Sequence, residues 1–311
     1  MPPGFQAQVY QSGLVQPTAL AVEPEGTVYV AERGGTVLAL HPGSFPQLVV
    51  GGLDTPLGLA FKGTTLLIAI SGGLQQFING QLAPIALGLP VGRHQQDGLA
   101  VGAGGEIYMG SGSTCDVCSE PSQLSAAILR QSASGGPLTV YASGTRNPFG
   151  LAVDSATGAL YATVNGQDDL GASEPADMLI KVEAGAFYGW PRCWPSYAAH
   201  AMSGSCQGVS SPIAYLPPHV SADGMAIYRG SSFPGTYQGI AFVAEWGANQ
   251  GGPIGRKLVQ VSLGGSAPGQ VKTFASGFVH PIAVAVDARG ALLVADYGSG
   301  DVYRIRWSGD A

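Results

Sequence analysis

Apolar residues in this chain fall into short runs separated by tight turns, and the runs repeat one plan. Six cores place Gly or Ala, an aliphatic residue, Ala and another apolar residue in succession, and the core segments begin at Pro17, Pro56, Asp97, Pro148, Asp223 and Pro281. Each core is followed by a turn and a second apolar run, at 27–31, 65–70, 106–110, 159–164, 240–244 and 291–295. Runs of this length, bounded by Gly, Pro and Asp, predict β-strands joined by hairpins. The repeat spacing of roughly 40 to 50 residues is that of four-stranded propeller blades.

The predicted fold is therefore all-β, a six-bladed β-propeller with four-stranded antiparallel blades, in one domain that spans residues 1–311. The last repeat supplies only three strands and ends with the run Asp301–Trp307. An unmatched apolar run near the start, from Phe5 to Tyr10, can pair with it as the outer strand. We expect this N-terminal strand to close the last blade, because closure removes a free sheet edge.

Composition agrees with such a fold and excludes several functions. The chain has 48 Gly and 22 Pro among 311 residues, which suits many tight turns. A net charge of −6 with only 14 Lys and Arg argues against nucleic-acid binding, because phosphate contacts need clustered cations. No apolar run reaches the roughly 20 residues of a membrane helix. We therefore expect no nucleic-acid partner and no membrane span.

The four cysteines form two close pairs, Cys115 with Cys118 and Cys193 with Cys206. An even number at short spacing predicts two structural disulfides and a secreted or periplasmic protein. A lone Cys-x-x-Cys could instead be redox-active or half of a zinc site, but no second such pair or nearby His completes one. No signal peptide is visible, and Met1-Pro2-Pro3 would fit a chain start after processing.

In a propeller, the residues before each inner strand converge around the axis at one end of the channel. Here these residues are Gln16, Thr55, the run 94–97, Arg146, Asn147, the run 219–223, Val279 and His280. A purely structural ring needs only turn formers, whereas placed polar groups are typical of a ligand pocket. His94 can act as a general base near neutral pH. Arg146 and Asn147 can donate to an oxyanion or a quinone oxygen.

An acidic loop at 167–177 offers hard oxygen ligands of the kind that Ca²⁺ prefers. Its spacing differs from that of an EF-hand loop, and a solvated acidic loop is the competing interpretation.

The central part of the chain resembles a known family. The motifs are Arg146-Asn-Pro-Phe-Gly-Leu-Ala, Asp168-Asp-Leu-Gly, Pro175-Ala-Asp, Tyr188-Gly-Trp-Pro-x-Cys, His94-x-x-Asp-Gly-Leu-Ala, the Cys-x-x-Cys segment and Phe233-Pro-x-x-Tyr. Together they resemble the pyrroloquinoline-quinone-dependent glucose/sorbosone dehydrogenase family, in particular its soluble sorbosone-dehydrogenase-like branch. The resemblance runs from about residue 85 to the C-terminus.

This resemblance implies a secreted or periplasmic propeller that binds pyrroloquinoline quinone over a Ca²⁺ ion at the channel mouth. His94 would take the hydroxyl proton of a sugar-like substrate while hydride passes to the quinone, and an external acceptor would remove the electrons. Arg146 would act in catalysis and contact the quinone together with Asn147, and we expect Asp97 and His280 beside them. The residues expected to contact calcium are Asn165, Gly166, Asp168 and Asp169.

Three functions remain open. The first is a quinone-dependent dehydrogenase that oxidises the alcohol or aldehyde-hydrate carbon of a sugar-like substrate. The second is a ligand-binding propeller without the quinone, because residues 244–249 and 278–283 lack the Arg or Lys with which the family closes its cofactor site. Arg256 and Lys257 are candidates to replace them. The third is a calcium-dependent, lactonase-like hydrolase, although no ring of ligands is evident and Glu32 has no obvious partner.

Overall fold

The computed structural model describes residues 1–41, 43–248, 254–265 and 268–309 of the chain. Within these ranges the regular structure is almost entirely β-strand, and the one helical element is a single 3₁₀ turn, Gly235–Tyr237. None of the described residues belongs to a helix that is long and apolar enough to cross a membrane. The all-β prediction is confirmed.

Of the 26 described strands, 24 form six antiparallel sheets of four strands each, so the six-bladed propeller is also confirmed. Blades 1 and 2 contain β2 (Pro17–Val22), β3 (Val28–Glu32), β4 (Thr36–Leu40) and β5 (Gln47–Val50), then β6 (Gly58–Lys62), β7 (Thr65–Ile70), β8 (Gly73–Ile78) and β9 (Gln81–Leu87). Blades 3 and 4 contain β10 (Gln96–Val101), β11 (Ile107–Ser111), β12 (Ala127–Ser132) and β13 (Gly135–Ser143), then β14 (Asn147–Val153), β15 (Leu160–Asn165), β16 (Asp177–Val182) and β19 (Ala214–Leu216). Blades 5 and 6 contain β20 (Ala222–Ile227), β21 (Ile240–Glu245), β22 (Lys257–Ser262) and β23 (Val271–Ser276), then β24 (Pro281–Val286), β25 (Leu292–Asp296), β26 (Asp301–Trp307) and β1 (Phe5–Gln11).

The ring closes as the sequence predicts. Strand β1 pairs antiparallel with β26, with Phe5 opposite Trp307, and β24 packs against β2. Phe5 is buried, and its ring centroid lies 4.7 Å from that of Phe233 and 4.9 Å from those of Phe274 and Trp307. The closing strand is therefore held by the aromatic core between blades 5 and 6 as well as by its backbone hydrogen bonds.

The innermost strands touch one another because their cores contain glycine. A Cβ atom at any of four glycines would overlap a backbone carbonyl oxygen of the next inner strand; these are Gly58 against Asp97, Gly98 against Phe149, Gly150 against Asp223 and Gly224 against Ile282. Two buried hydroxyls link blades directly, since Thr18 donates to the carbonyl of Pro56 at 2.6 Å and Thr163 to that of Asp223 at 2.7 Å. This close approach brings the strand ends of all blades within reach of one ligand.

Blade 4 carries a long insertion, because residues 183–213 separate its third strand, β16, from its fourth, β19. The insertion contains the hairpin formed by β17 (Cys193–Ser196) and β18 (Ala201–Gly204), and the predicted Cys193–Cys206 disulfide closes it. The second disulfide, Cys115–Cys118, lies in the loop between β11 and β12. Both predicted pairings are confirmed, and the structure has no free cysteine.

Candidate functional site

A cavity of about 1060 Å³ opens at one end of the propeller axis and is lined by residues from all six blades. The Arg, His and Asp residues that line it are Arg33, Arg93, His94, Arg146, Asp168, Asp177, His219 and Asp223. Asn147, Asn165 and Gly166 also line it. The cavity therefore gathers His94, Arg146 and Asn147, the three residues on which the sequence-based interpretation mainly rests.

Two kinds of chain position supply these side chains. His94, Arg146 and His219 come shortly before an inner strand or at its start, as the sequence predicts. Arg33 and Tyr297 come directly after a second strand of a blade, at the ends of β3 and β25. Because neighbouring strands run antiparallel, the start of the first and the end of the second lie at the same end of the sheet. Sequence reasoning identified Asn165, Gly166 and Asp168 at the end of one second strand, β15, but not Arg33 or Tyr297.

His94 is oriented by a short chain of hydrogen bonds. Its Nδ1 lies 3.0 Å from the hydroxyl of Ser113, and that hydroxyl donates its one proton to the carbonyl of Cys115 at 2.6 Å. The Ser113 oxygen must therefore accept from Nδ1–H, which leaves Nε2 as the unprotonated nitrogen. Burial, with Arg146 and Arg93 nearby, lowers the pKa of His94 from 6.5 to about 4. The imidazole is thus neutral and able to accept a proton at neutral pH.

Arg146 is fixed by carboxylates although it is only 4% exposed. Its Nε and Nη2 donate to Oδ1 of Asp116 at 3.1 and 2.6 Å, and Nη2 donates to Asp168 at 2.9 Å. Burial alone would raise the pKa of Asp116, but the N–H of Asp168 and the Arg146 guanidinium outweigh it and lower that pKa. The carbonyl of Asp116 also accepts the indole N–H of Trp190 at 3.0 Å. The guanidinium is therefore held rigidly at the cavity wall.

Asp168 connects three basic side chains at the rim. Besides Arg146, it accepts from Nη2 of Arg93 at 2.6 Å, and its Oδ1 lies 3.6 Å from Nδ1 of His219. Arg33 differs from these residues, because it is exposed and no carboxylate of the described chain lies within ion-pair range of it. Among the described residues, its guanidinium hydrogen-bonds to the hydroxyl of Tyr297, at 3.4 Å, and to no other group. Arg33 therefore offers the cavity a positive charge that is not already neutralised.

Three buried aspartates surround the inner end of the cavity. Asp97, Asp177 and Asp223 are 2%, 3% and 5% exposed. Burial raises the pKa of Asp177 to about 6 and those of Asp97 and Asp223 well above the usual range, and Asp177 and Asp97 add to the shift at Asp223. These carboxyls keep their protons at pH values where an exposed Asp has lost them. The raised pKa values lower the negative charge that these carboxyls carry at a given pH.

Two buried amides lie beside these aspartates. Asn147 donates from Nδ2 to Oδ1 of Asn165 at 2.9 Å, and Asn165 donates to the carbonyl of Ala222 at 3.1 Å. The Oδ1 atom of Asn147 is buried and has no hydrogen-bond partner within the described part of the chain. A buried acceptor without a donor is costly, so this oxygen is available to a ligand group or to a cation.

The structure leaves three of the predicted site residues off the cavity lining. Asp97 is buried behind it, and one of its carboxyl oxygens has no partner. His280 supports another residue, since it stacks on Trp246 with 3.9 Å between ring centroids and its Nδ1 lies 3.0 Å from the Trp246 carbonyl oxygen. Trp246 itself lines the cavity. Asp169 is exposed and accepts from the side chain of Gln167 at 2.9 Å.

Arg256 and Lys257 do not take the place of the basic residues that are missing from the last two blades. Lys257 lies 3.4 Å from the carboxylate of buried Glu245, and neither Lys257 nor Arg256 lines the cavity. Asn249, at the end of the run 244–249, lies outside the described residues. Positive charge comes instead from Arg33 and Arg93 in blades 1 and 3, which sequence reasoning missed.

The acidic loop does not form a ready-made carboxylate cage. In the described ranges, Cys115, Cys118 and Glu120 are the one group of three or more His, Cys, Asp or Glu residues whose ligand atoms all lie within 4.8 Å of one another. Those two cysteines are bonded to each other, so this group is not a metal site. A cation at the cavity would therefore need carbonyl, amide and ligand oxygens in addition to any carboxylate.

Comparisons with known proteins agree with this architecture. The sequence profile described as glucose/sorbosone dehydrogenase matches residues 89–304. An uncharacterized protein of Borreliella burgdorferi is 26% identical over 201 residues, which cover 60% of this chain and 53% of that protein. The chain thus spans about half the length of the curated relative it matches.

Solved structures resemble the chain over nearly its whole length. The calcium structure of Trichoderma reesei Carbohydrate-Active Enzymes Family AA12 has a TM-score of 0.81 at 16% identity, covering 98% of this chain and 96% of that one. The PQQ-bound aldose sugar dehydrogenase of Streptomyces coelicolor has a TM-score of 0.76 at 21% identity, covering 98% and 99%. The soluble aldose sugar dehydrogenase of Escherichia coli has a TM-score of 0.75 at 18% identity, covering 97% and 99%. At these identities the likeness shows the fold.

Proposed function

Because this chain belongs to the glucose/sorbosone dehydrogenase family, we propose that it is a quinone-dependent dehydrogenase that oxidises a sugar-like alcohol or aldehyde hydrate at the axial cavity. The observation that carries the proposal is the arrangement of His94, a neutral imidazole with a free Nε2 beside the fixed guanidinium of Arg146. A base next to a rigid cation is the combination that removal of a hydroxyl proton and stabilisation of developing negative charge require.

The residues present suit pyrroloquinoline quinone, which carries several carboxylates. Arg33 has no carboxylate partner in the described chain, and Arg93 and Arg146 flank the same cavity. The Oδ1 of Asn147, unpartnered among the described residues, leaves one acceptor for the cofactor or its cation, and the raised pKa of Asp97 lessens the negative charge near the cavity. We assign Arg33, Arg93, Arg146 and Asn147 as the residues that would hold the quinone.

We further assign the calcium contacts to Asn165 and Gly166, which line the cavity. Asp168 lines it as well, but its carboxylate already binds Arg93 and Arg146. Asp169 contacts Gln167 and is the weakest of the four candidates. Oxygen ligands from amides, carbonyls and the cofactor itself would satisfy Ca²⁺, which accepts flexible coordination.

When bound, the quinone supplies the acceptor for the hydride that leaves the sugar carbon. The protein supplies the base: Nε2 of His94 takes the hydroxyl proton while Nδ1–H remains hydrogen-bonded to Ser113. With a pKa of about 4, the free imidazole is a weak base, partly because Arg146 and Arg93 repel its protonated form. An anion bound to these two arginines would weaken that repulsion and raise the basicity of His94 in the loaded site. An external acceptor then removes the electrons.

A second function has one observation in its favour. Asp168 already neutralises Arg93 and Arg146, which is what a cofactor carboxylate would otherwise do. This favours a propeller that binds a small polar ligand without the quinone. The lactonase-like hypothesis has less support, because no three carboxylates of the described chain bring their oxygens within 4.8 Å of one another. Glu32, its early candidate, instead accepts from the N–H of Val15 and the hydroxyl of Thr36.

Reconstitution tests the proposal. The purified chain is titrated with pyrroloquinoline quinone in the presence of Ca²⁺, followed by absorbance and calorimetry, and then assayed with a dye acceptor across a series of aldoses. We expect quinone binding and dye reduction. Absence of binding refutes the dehydrogenase and leaves the ligand-binding propeller.

His94→Ala then tests the base. We expect kcat to fall roughly 10²- to 10⁴-fold, the usual worth of a positioned base. Quinone affinity should change far less, because the arginines and Asn147 carry that binding. Full turnover in this variant, with quinone bound, would show that the cavity is correct and the base is not.

The two disulfides favour an oxidising compartment, because cytosolic proteins rarely keep such bonds. We therefore infer a secreted or periplasmic location. Mass spectrometry of the protein from its native host, before and after reduction, would test this inference.

A further inference from the structure

A second cavity, of about 650 Å³, lies at the seam between blades 4 and 5 and shares no lining residue with the axial cavity. Strand β19 contributes Tyr215 to it, β22 contributes Lys257, and the insertion of blade 4 contributes Tyr197 and His200. Glu245, at the end of β21, completes its lining between the two blades. The cavity is large enough for one or two sugar rings, since small-ligand pockets begin at roughly 300 Å³.

A disulfide and several hydrogen bonds hold the tip of the blade 4 insertion beside this cavity. The Cys193–Cys206 disulfide closes its base, and its hairpin tip is bound by Glu174. The Glu174 carboxylate accepts from the Ser196 hydroxyl at 2.8 Å, from the N–H of Tyr197 at 2.7 Å and from the N–H of Ala198 at 3.1 Å. Burial alone would raise the pKa of Glu174, but these donors outweigh it and lower the pKa. Tyr197 and His200 are therefore presented by a preorganised element.

Aromatic rings form one side of the cavity. The rings of His200 and Tyr215 are stacked, with centroids 5.5 Å apart and 16° between their planes, and the Tyr197 ring lies 5.7 Å from that of His200. Flat aromatic surfaces with polar edges bind ligands that combine apolar faces with hydroxyl groups. A sugar ring has C–H bonds on its faces and hydroxyls around its edge, and it matches that surface.

Glu245 provides the polar side. Its side chain is fully buried, and neither carboxyl oxygen has a hydrogen-bond partner. The Nζ atom of Lys257 lies 3.4 Å from Oε2 of Glu245. Lys257 is the accessible member of this pair, since its side chain is 28% exposed, and it can donate to a ligand hydroxyl. An ammonium group beside aromatic rings suits a hydroxyl-rich ligand, because hydroxyls can accept from Lys257 while C–H faces pack on the rings.

We propose that this cavity is a secondary saccharide-binding pocket that takes a remote unit of an oligosaccharide. Two chain connections place it near the axial cavity: Glu245 precedes Trp246, and Pro217 comes two residues before His219, while Trp246 and His219 line the axial cavity. An oligosaccharide oxidised at one end in the axial cavity could thus be held by a later unit in this pocket. The link to oxidation rests on the proposed function; saccharide binding by the pocket does not.

Binding is tested first on the protein without quinone. Calorimetric titrations compare glucose with α-1,4- and β-1,4-linked glucose oligosaccharides, using wild type, Tyr215→Ala and His200→Ala. His41→Ala, a histidine outside both cavities, is the matched control. We expect at least one oligosaccharide series to bind better than glucose, and each pocket variant to bind it about 2- to 10-fold more weakly, the worth of an aromatic contact. The control should bind like wild type.

Two results would overturn the proposal: no oligosaccharide binds, or the pocket variants bind as tightly as His41→Ala. Kinetics then separate it from the proposed function. If the loaded protein oxidises sugars, His200→Ala should raise KM for oligosaccharides and leave KM and kcat for monosaccharides unchanged; an unchanged oligosaccharide KM refutes the role in substrate binding. If quinone never binds but oligosaccharides do, the dehydrogenase fails and the saccharide pocket stands.

Discussion

Replacing Glu245 with Gln should change how the stability of this propeller depends on pH. The carboxyl group is fully buried, without a hydrogen-bond partner, and 3.4 Å from the ammonium of Lys257. Burial raises its pKa from 4.5 to about 7, and Lys257 opposes the shift only in part. Gln has nearly the same shape and no titratable proton, so the variant removes the titration and little else.

The sign and size follow from proton linkage. Between about pH 4.5 and pH 7 the folded chain keeps a proton at Glu245 that the unfolded chain releases, so stability falls as pH rises through this window. At about 1.4 kcal/mol for each unit of pKa, the full effect is about 3 kcal/mol. Most of it, roughly 2 to 3 kcal/mol, falls between about pH 5 and pH 8. The Gln variant should therefore gain that much relative to wild type across the same range.

Urea unfolding of both proteins at a series of pH values measures this difference directly. Glu183→Gln is the control, because Glu183 is 66% exposed and 3.8 Å from Lys181, so its replacement should give a nearly constant difference. If the gap between wild type and Glu245→Gln stays constant or narrows as pH rises, Glu245 is ionised in the folded protein at every pH. The argument from burial would then be wrong.

Further substitutions test the remaining parts of the structure. Ser113→Ala removes the acceptor of His94 Nδ1–H and should lower kcat roughly 10-fold, the worth of one hydrogen bond. Ser113→Thr should restore the rate and its pH profile, whereas an unchanged rate in the Ala variant would contradict the tautomer assignment. Phe5→Ala should lower the free energy of unfolding by about 3 to 5 kcal/mol, whereas Phe45→Ala, at a residue that is 93% exposed, should not; equal losses on denaturation would refute the closing role of β1. Arg33→Ala should weaken quinone binding about tenfold in calorimetric titration, as loss of a charged hydrogen bond does; unaltered affinity would remove Arg33 from the cofactor site.

The fold could be predicted because the same short pattern of strand, turn and strand recurs six times along the sequence. The run 65–70 matches β7 (Thr65–Ile70), and the final run matches β26 (Asp301–Trp307). Strand β19 could not be predicted from the repeat, since the insertion at 183–213 displaces it from its third strand. Sequence spacing identifies hairpins, whereas a strand that returns after a long insertion is fixed only by its pairing with β16.

Only some residues of the candidate site could be predicted from the sequence. His94 and Arg146 precede recurring cores, so their position in the ring follows from the repeat itself. Arg33 and Tyr297 follow second strands, and their convergence depends on strand direction and strand length together. Asp116 lies 30 residues from its partner Arg146, and only the folded loop brings them together. Counting the residues after each second strand would have found Arg33 and Tyr297, but not Arg93 or Asp116.

The contacts between inner-strand glycines and neighbouring carbonyls restrict how such a protein can evolve. A side chain at Gly98 would push against the Phe149 carbonyl, and in a closed ring that blade can yield only by displacing the next one. A substitution near the axis therefore displaces all six blades, whereas a substitution at Arg33 or Tyr297, directly after a strand end, alters only its own surroundings. We expect divergence in specificity to collect at these strand ends. The ring can then keep its shape while most of its sequence changes, as a TM-score of 0.81 at 16% identity illustrates.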